Sequence, residues 1–262
     1  MKRVVLRPRG GRARPLRSDT LFGLLAWGVR EVVGGGALDR LLEPPSDAGD
    51  EPALVVTSAF PCEAERSWFP RPVDEGPGLQ DDATLLARIG GGAPAAAPSP
   101  PPPAPHDLFF LAYGRAEPWL EGALRYLERA GFGGGAARGD SGYDVTLEET
   151  TFVRPARPGE LGLLLSLCFP TPTERAALVA AARERSDVRY EVERRRGVVG
   201  GRRLSVARPF KKAVTMLREG SVLPVAGVGA APVVGRVEAE GEAFDVRQPG
   251  YGFFVPWTGG AA

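Results

Sequence analysis

Two spacings of apolar residues alternate along this chain. Short apolar pieces at residues 3–8 (RVVLRP), 53–60 (ALVVTSAF) and 107–114 (DLFFLAYG) read as strands, and 143–153 (YDVTLEETTFV) shows the period of two of a half-buried strand. A near-continuous apolar run at 160–169 (ELGLLLSLCF) predicts a strand buried on both faces. The helical period appears between them. It links Leu21, Phe22, Leu24, Leu25, Trp27, Val29, Val32 and Val33 behind a cap at Ser18 or Asp19, and Gly34 to Gly36 end that helix. A second helix opens with Pro118 in its first turn and carries Trp119, Leu120, Leu124, Tyr126 and Leu127. A third covers 171–185, with Thr171 or Thr173 as cap and Glu174 in the first turn. Residues 188–195 and 202–210, joined through Gly197 to Gly201, read as a hairpin, and strands at 211–224, 233–241 and 244–257 finish the chain. The piece FPRP at 69–72 is extended, because proline restricts itself and its predecessor.

The order βαβ…βαβ–βαβ–ββββ predicts an α+β fold of two ferredoxin-like units, 1–155 and 156–262. Residues 90–106, with three consecutive glycines and seven prolines, predict a linker inside an insertion spanning about 73–106 that takes no single conformation.

Composition narrows the chemistry. The single histidine, His106, sits in the proline-rich stretch, and Cys62 and Cys168 stand alone, so zinc sites, a disulfide framework and Ser-His-Asp hydrolysis lack their residues. No apolar run reaches the roughly 18–20 residues of a membrane span, and no apolar stretch follows the N-terminal charges as in a secretory signal. A cytoplasmic protein without cofactor or metal is expected. The formal net charge of +1 hides a segregation. Residues 1–17 carry seven cations and no acid; 39–82 carry eleven acids and three cations; 183–219 carry twelve cations and five acids. Two basic regions flanking an acidic one suggest an anionic ligand on one face and a protein partner on another.

The glycine-rich loop at 131–145 (GFGGGAARGDSGYDV) is the sharpest candidate site. Glycines let backbone N–H groups turn toward an anion, Arg138 offers a planar donor fork, and Ser141 adds a hydroxyl. The N–H groups of Gly133, Gly134 and Gly135 complete a phosphate cradle. Arg14, Arg17 and Ser18 form a second group at the first strand-to-helix junction, since helix N-termini favour phosphate, although Ser18 is also placed to cap its helix. Arg202, Arg203, Arg208, Lys211 and Lys212 form a third, equally readable as a solvated hairpin edge. Trp68, Phe69 and Tyr143 are candidates to stack splayed bases; burial in the core is the competing fate for Trp68.

Several of these pieces, in this order, resemble the RAMP proteins, the ferredoxin-like RNA-binding subunits of CRISPR effector complexes. The opening strand with SDTLFGLLAWGV (18–29) and the glycine loop resemble features general to RAMPs. The pieces WFPRP (68–72), MLREGSVLP (216–224) and GYGFFVP (250–256) resemble one branch, the handle-binding subunit of the type III-A (Csm) complex. The resemblance implies a non-catalytic subunit that grips the 5′ handle of CRISPR RNA (crRNA) and caps the crRNA filament. There it would contact the large polymerase-like subunit and the first RAMP backbone subunit. Ala136 and Ala137 interrupt the glycine loop where the family places a small, basic, serine-containing run. The proline-rich 73–106 region implies that the family's RNA-kinking thumb hairpin is shortened, displaced or flexible.

Other readings are weaker. Gly131, Gly133 and Ala136 match a dinucleotide-binding spacing, but that motif leaves a strand and opens a helix, whereas this one leaves a helix and opens a strand. No GK[ST] follows any glycine run, so a P-loop is missing. A metal-dependent nuclease would need clustered carboxylates; Asp19 reads as a helix cap and Asp140 as a turn residue. An RNA-processing endoribonuclease on the same fold commonly uses histidine, leaving only His106 or a Tyr/Lys variant. A protein-only adaptor would use the acidic 39–82 segment.

Overall fold

The computed structural model describes residues 1–10, 15–43, 50–64, 66–92, 99–102, 106–132, 142–198, 210–225, 229–230, 233–239 and 242–258. The chain enters through β1 (Lys2–Pro8), α1 (Ser18–Val32) and α2 (Gly35–Leu42). It continues through β2 (Val55–Val56), β3 (Phe60–Glu63), β4 (Arg66–Pro70), β5 (Leu79–Asp81) and α3 (Asp82–Ile89). Strand β6 (Asp107–Tyr113), helix α4 (Glu117–Ala130) and strand β7 (Tyr143–Glu149) close the first half.

These strands form one antiparallel sheet in the order β5-β4-β3-β6-β1-β7, with β2 also paired to β6. Alternation along β1 explains its central place. Val4 and Leu6 are fully buried, and the strand hydrogen-bonds on both edges, Val4 lying opposite Phe110 of β6 and Leu147 of β7. Helices α1 and α4 pack closely because Gly28 has no side chain. A Cβ there would lie 2.9 Å from both the Cβ and the carbonyl oxygen of Ala123.

The second half runs through β8 (Leu161–Leu164), α5 (Pro172–Glu184), β9 (Val192–Arg195), β10 (Val214–Leu217) and β11 (Val222–Pro224). It then adds β12 (Gly229–Ala230), β13 (Val233–Ala239), β14 (Glu242–Arg247), β15 (Gly250–Tyr251) and β16 (Phe254–Pro256). Strand β8, apolar along its length, is central in the order β11-β8-β16. Strands β9 and β10 pair with each other, as do β13 and β14, and β12 and β15. Among the described residues α5 is the single helix of this half. It starts with a complete capping box, in which Thr171 Oγ accepts from the Glu174 N–H while Glu174 accepts from the Thr171 N–H.

The α+β architecture is the one the sequence pattern predicts. The described part of the expected insertion is folded rather than loose. Residues 79–89 form β5, paired to β4, and α3, whose N-terminus is capped by Asp81 accepting from the Thr84 N–H at 2.9 Å. The core is continuous between halves. One buried cluster joins Val4, Leu6, Phe109 and Phe110 to Leu163, Leu165, Val222, Phe253, Val255 and Trp257. A smaller cluster of Leu164, Cys168, Val188, Leu217, Leu223, Val225 and Phe254 is covered by Leu178, Ala181 and Ala182 of α5. No helix among the described residues is long and apolar enough to cross a membrane.

Candidate nucleic-acid interface

The glycine loop connects the end of α4 to the start of β7. Gly133, Gly134, Gly135, Arg138 and Ser141 lie outside the described residues, as do Arg14 and Arg208. The two anchors of the loop are well defined. Gly131 ends α4 with φ at +88°, a conformation that favours glycine. Phe132 then turns inward, edge-on to Tyr143, with ring centroids 5.4 Å apart. On the far side, Arg9 receives the chain: its N–H donates to the Gly142 carbonyl at 2.9 Å, and its guanidinium reaches Asp144 at 2.7 Å and the Glu128 carbonyl at 3.1 Å. The Val145 N–H donates to Glu128 at 3.0 Å, which with nearby Arg125 and Arg9 holds that carboxyl below its ordinary range. The two ends of the loop, Phe132 and Gly142, are thus each fixed to the fold.

The second predicted group is placed differently from expectation. Ser18 is buried, and its hydroxyl does not cap α1; the cap position is Arg17, which makes no side-chain cap bond. The Ser18 Oγ instead accepts from the Leu167 N–H at 2.9 Å, while its own N–H donates to Ser58 Oγ at 3.0 Å. The Ser58 hydroxyl is bonded in turn to Glu219. Arg17 is likewise engaged, donating from Nε to Glu219 at 2.8 Å and lying 3.1 Å from Glu193. These residues join the two halves of the chain rather than facing solvent.

Asp19 completes this junction. It is buried, pairs with Arg195 at 3.2 Å and accepts from Gln248 Nε2 at 2.8 Å. Burial works against the charge on Arg195, but the bonds to Asp19 outweigh it, so its pKa lies above the ordinary value. Lys211, the third group's inner member, donates to Gln248 Oε1 and to the Arg247 carbonyl, both at 3.1 Å. Its burial lowers its pKa, and Asp19 opposes that shift. Lys212, by contrast, is exposed. Asp19 is therefore spent on a salt bridge and an amide. Among the described residues no group of three or more His, Cys, Asp or Glu is placed to hold a metal ion.

The aromatic candidates are corrected. Trp68 is 2% exposed and donates from Nε1 to the Ser99 carbonyl at 3.1 Å. Phe69 is core, edge-on to Phe109 at 5.2 Å and stacked on Phe152 at 5.8 Å. Tyr143 is buried against Phe132. Trp68 and Phe69 lie on opposite faces of β4 and both are covered, and Tyr143 is buried on β7, so none of the three offers an open face to a base. The basic N-terminal arm is also largely matched, with Lys2 paired to Glu149, Arg3 to Glu148 and Arg7 to Asp107. Cys62 and Cys168 are free and buried, and burial pushes the Cys62 thiol up to about 11.

The sequence reading missed Ser58, Arg195, Glu219 and Gln248 because the junction partners stand up to 229 residues apart, with no local signal. One further surface is visible only in the structure: exposure alternates strictly from Val192 to Val198.

No family model matches the chain, and no curated protein matches it. Its fold is shared with solved structures over the whole length. A chain of the Csm3-Csm4 subcomplex of a type III-A CRISPR-Cas interference complex superposes with a TM-score of 0.62 at 12% identity, covering 99% of this chain and 100% of that one. A chain of a Csm1-Csm4 cassette in complex with pppApA gives 0.59 at 18% identity, covering 98% and 97%. The same cassette with AMPPNP gives 0.59 at 17%.

Proposed function

We propose that this chain is a non-catalytic, Csm4-like subunit of a type III-A CRISPR effector complex. It grips the 5′ handle of crRNA, caps the crRNA filament, and meets the large polymerase-like subunit on one side and the first RAMP backbone subunit on the other. The observation that carries the reading is the end-to-end likeness to chains of Csm1-Csm4 and Csm3-Csm4 assemblies, without large unmatched segments on either side. The fixed ends of the glycine loop support an anion-binding role for Gly133 to Gly135, Arg138 and Ser141. It needs only backbone donors and cations, which is what phosphate recognition without chemistry requires.

The test is co-purification after nuclease treatment. The tagged chain is expressed with its genomic neighbours, and the bound RNA is sequenced. Short RNAs sharing one 5′ end, together with several protein subunits, are expected; Arg138→Ala with Ser141→Ala should lose that RNA. A chain that purifies alone and without RNA would refute the reading. One that cleaves a repeat-containing RNA unaided would replace it with a processing enzyme.

A further inference from the structure

The arm formed by β9 and β10 has two chemically different faces. Residues 192–198 alternate exposed and half-buried without a break, as an extended strand requires. The inner residues, Glu193 and Arg195, belong to the junction with α1. The outer residues are Val192, Arg194, Arg196 and Val198. Phe210, bridged to Val198 across the arm, stands on the same side. Val192, Val198 and Phe210 are 58%, 57% and 55% exposed, the three highest values among the large apolar residues described. The Arg196 guanidinium lies over the Phe210 ring, 4.8 Å from its centroid. Among the described residues no carboxylate pairs with Arg194, Arg196 or Lys212, although Arg3, Arg9, Arg17 and Arg195 all have one.

We infer that this outer face is a platform for single-stranded RNA, where a base stacks on Phe210 beside Arg196 and the backbone phosphates run past Arg194 and Lys212. The inference rests on the proposed RNA-binding function and locates a contact surface away from the glycine loop. Charge decides between RNA and protein as the occupant. An apolar protein partner would have to desolvate three unpaired cations, whereas RNA neutralises them and releases counterions. An exposed aromatic interleaved with arginine is also the surface on which bases stack without sequence readout. Arg194 and Arg196 are two strand residues apart, about 6.6 Å, close to one extended sugar–phosphate repeat.

The experiment uses the full chain and a short fluorescein-labelled oligouridine, read by anisotropy over a range of salt. Phe210→Ala should weaken binding about 5- to 100-fold, and Phe210→Trp should restore it. Arg194→Ala with Lys212→Ala should flatten the plot of log affinity against log salt by about 1.4, at about 0.7 per lost single-strand phosphate contact. Thermal melts should leave all three variants folded, because the changed side chains are exposed. Parental affinity and slope in the variants would overturn the platform while leaving the crRNA reading intact. Loss of a protein subunit on co-purification with unchanged RNA binding would overturn it too, in favour of a protein interface. A parent chain with no affinity for oligouridine would also overturn it, and the co-purified crRNA would then show whether the broader reading survives.

Discussion

Asp19 shows what a single residue does at the joint between the halves. Its carboxylate faces Arg195 and Gln248, contributed from 176 and 229 residues further along the chain. Replacing it with alanine would leave the half-buried Arg195 guanidinium with Glu193 alone, at 3.3 Å, and strand an amide donor. Breaking a buried pair costs about 3–5 kcal/mol, but Arg195 keeps 27% of its side chain in solvent, so about 2–3 kcal/mol is expected after screening. For a chain of this size that is a fall in Tm of about 5–10 °C. Asp187→Ala, which removes a surface partner of Arg185, should cost about 0.5 kcal/mol or less. Thermal melts of the two variants side by side test the contrast; an Asp19→Ala protein melting with the parent would mean the joint adds nothing. The sequence reading of Asp19 as a cap named the correct place and the wrong partner. A cap is a local bond that residue spacing can reveal, whereas Arg195 and Gln248 reach Asp19 only through the tertiary fold. Trp68 and Phe69 went the other way for a related reason. The motif WFPRP marks an extended strand, but nothing in it says that both faces of that strand are covered.

Helices and strands were legible where their signals are local. Thr171 and Glu174 mark α5 by their spacing, Pro118 marks α4, and the continuous apolar run at 108–113 marks β6. In sequence, residues 79–89 look like part of a loose insertion because the prolines and glycines just beyond dominate the composition there. Asp81 and Thr84 nevertheless form a short capped helix. Packing between elements was not legible at all, and Gly28 is the clearest instance. In sequence it is a helix-weakening residue; in the fold it is the contact point of α1 and α4. Gly28→Ala would gain about 1 kcal/mol of helix propensity but drive a methyl into the Ala123 backbone, and overpacking costs about 1–3 kcal/mol. A net loss of about 1 kcal/mol is expected from that balance. Gly23, five residues earlier on the same helix, has open space where its Cβ would be. Gly23→Ala should therefore stabilise, by about 0.5–1 kcal/mol. Urea denaturation of both variants checks the opposite signs, and equal shifts would show that the α1–α4 contact is not tight.

At the scale of the molecule, two units were expected to meet near residue 155, each with its own fold. The polar joint at α1 and the shared apolar cluster argue that they cannot be separated. Leu163, Leu165, Phe253, Val255 and Trp257 from the second half lie in one cluster with Val4, Phe109 and Phe110 from the first. Gly220 reinforces the seam. Its φ is +88°, a Cβ there would lie 2.4 Å from the Arg71 carbonyl oxygen, and its own carbonyl accepts from the Val73 N–H at 3.0 Å. Cutting the chain at 155 would leave apolar surface open on both fragments and take from Arg17, Ser18 and Asp19 their partners in the second half, Glu219, Leu167, Arg195 and Gln248. The full chain should therefore unfold in one cooperative transition, with far-UV and near-UV circular dichroism tracing the same midpoint. Fragment 1–155 alone should keep helical signal yet bind a hydrophobic dye and lack a sharp melt, as a collapsed state without fixed packing does. A fragment that melts cooperatively by itself, or a full chain with two resolved midpoints, would show the halves to be independent domains. The joint around Asp19 would then be a docking contact, and handle recognition could be sought in the first half alone. If the chain is instead one cooperative body, Phe132 and Gly142 at the two ends of the glycine loop and the β9–β10 arm belong to a single frame, and the handle-binding proposal must be tested on the whole chain.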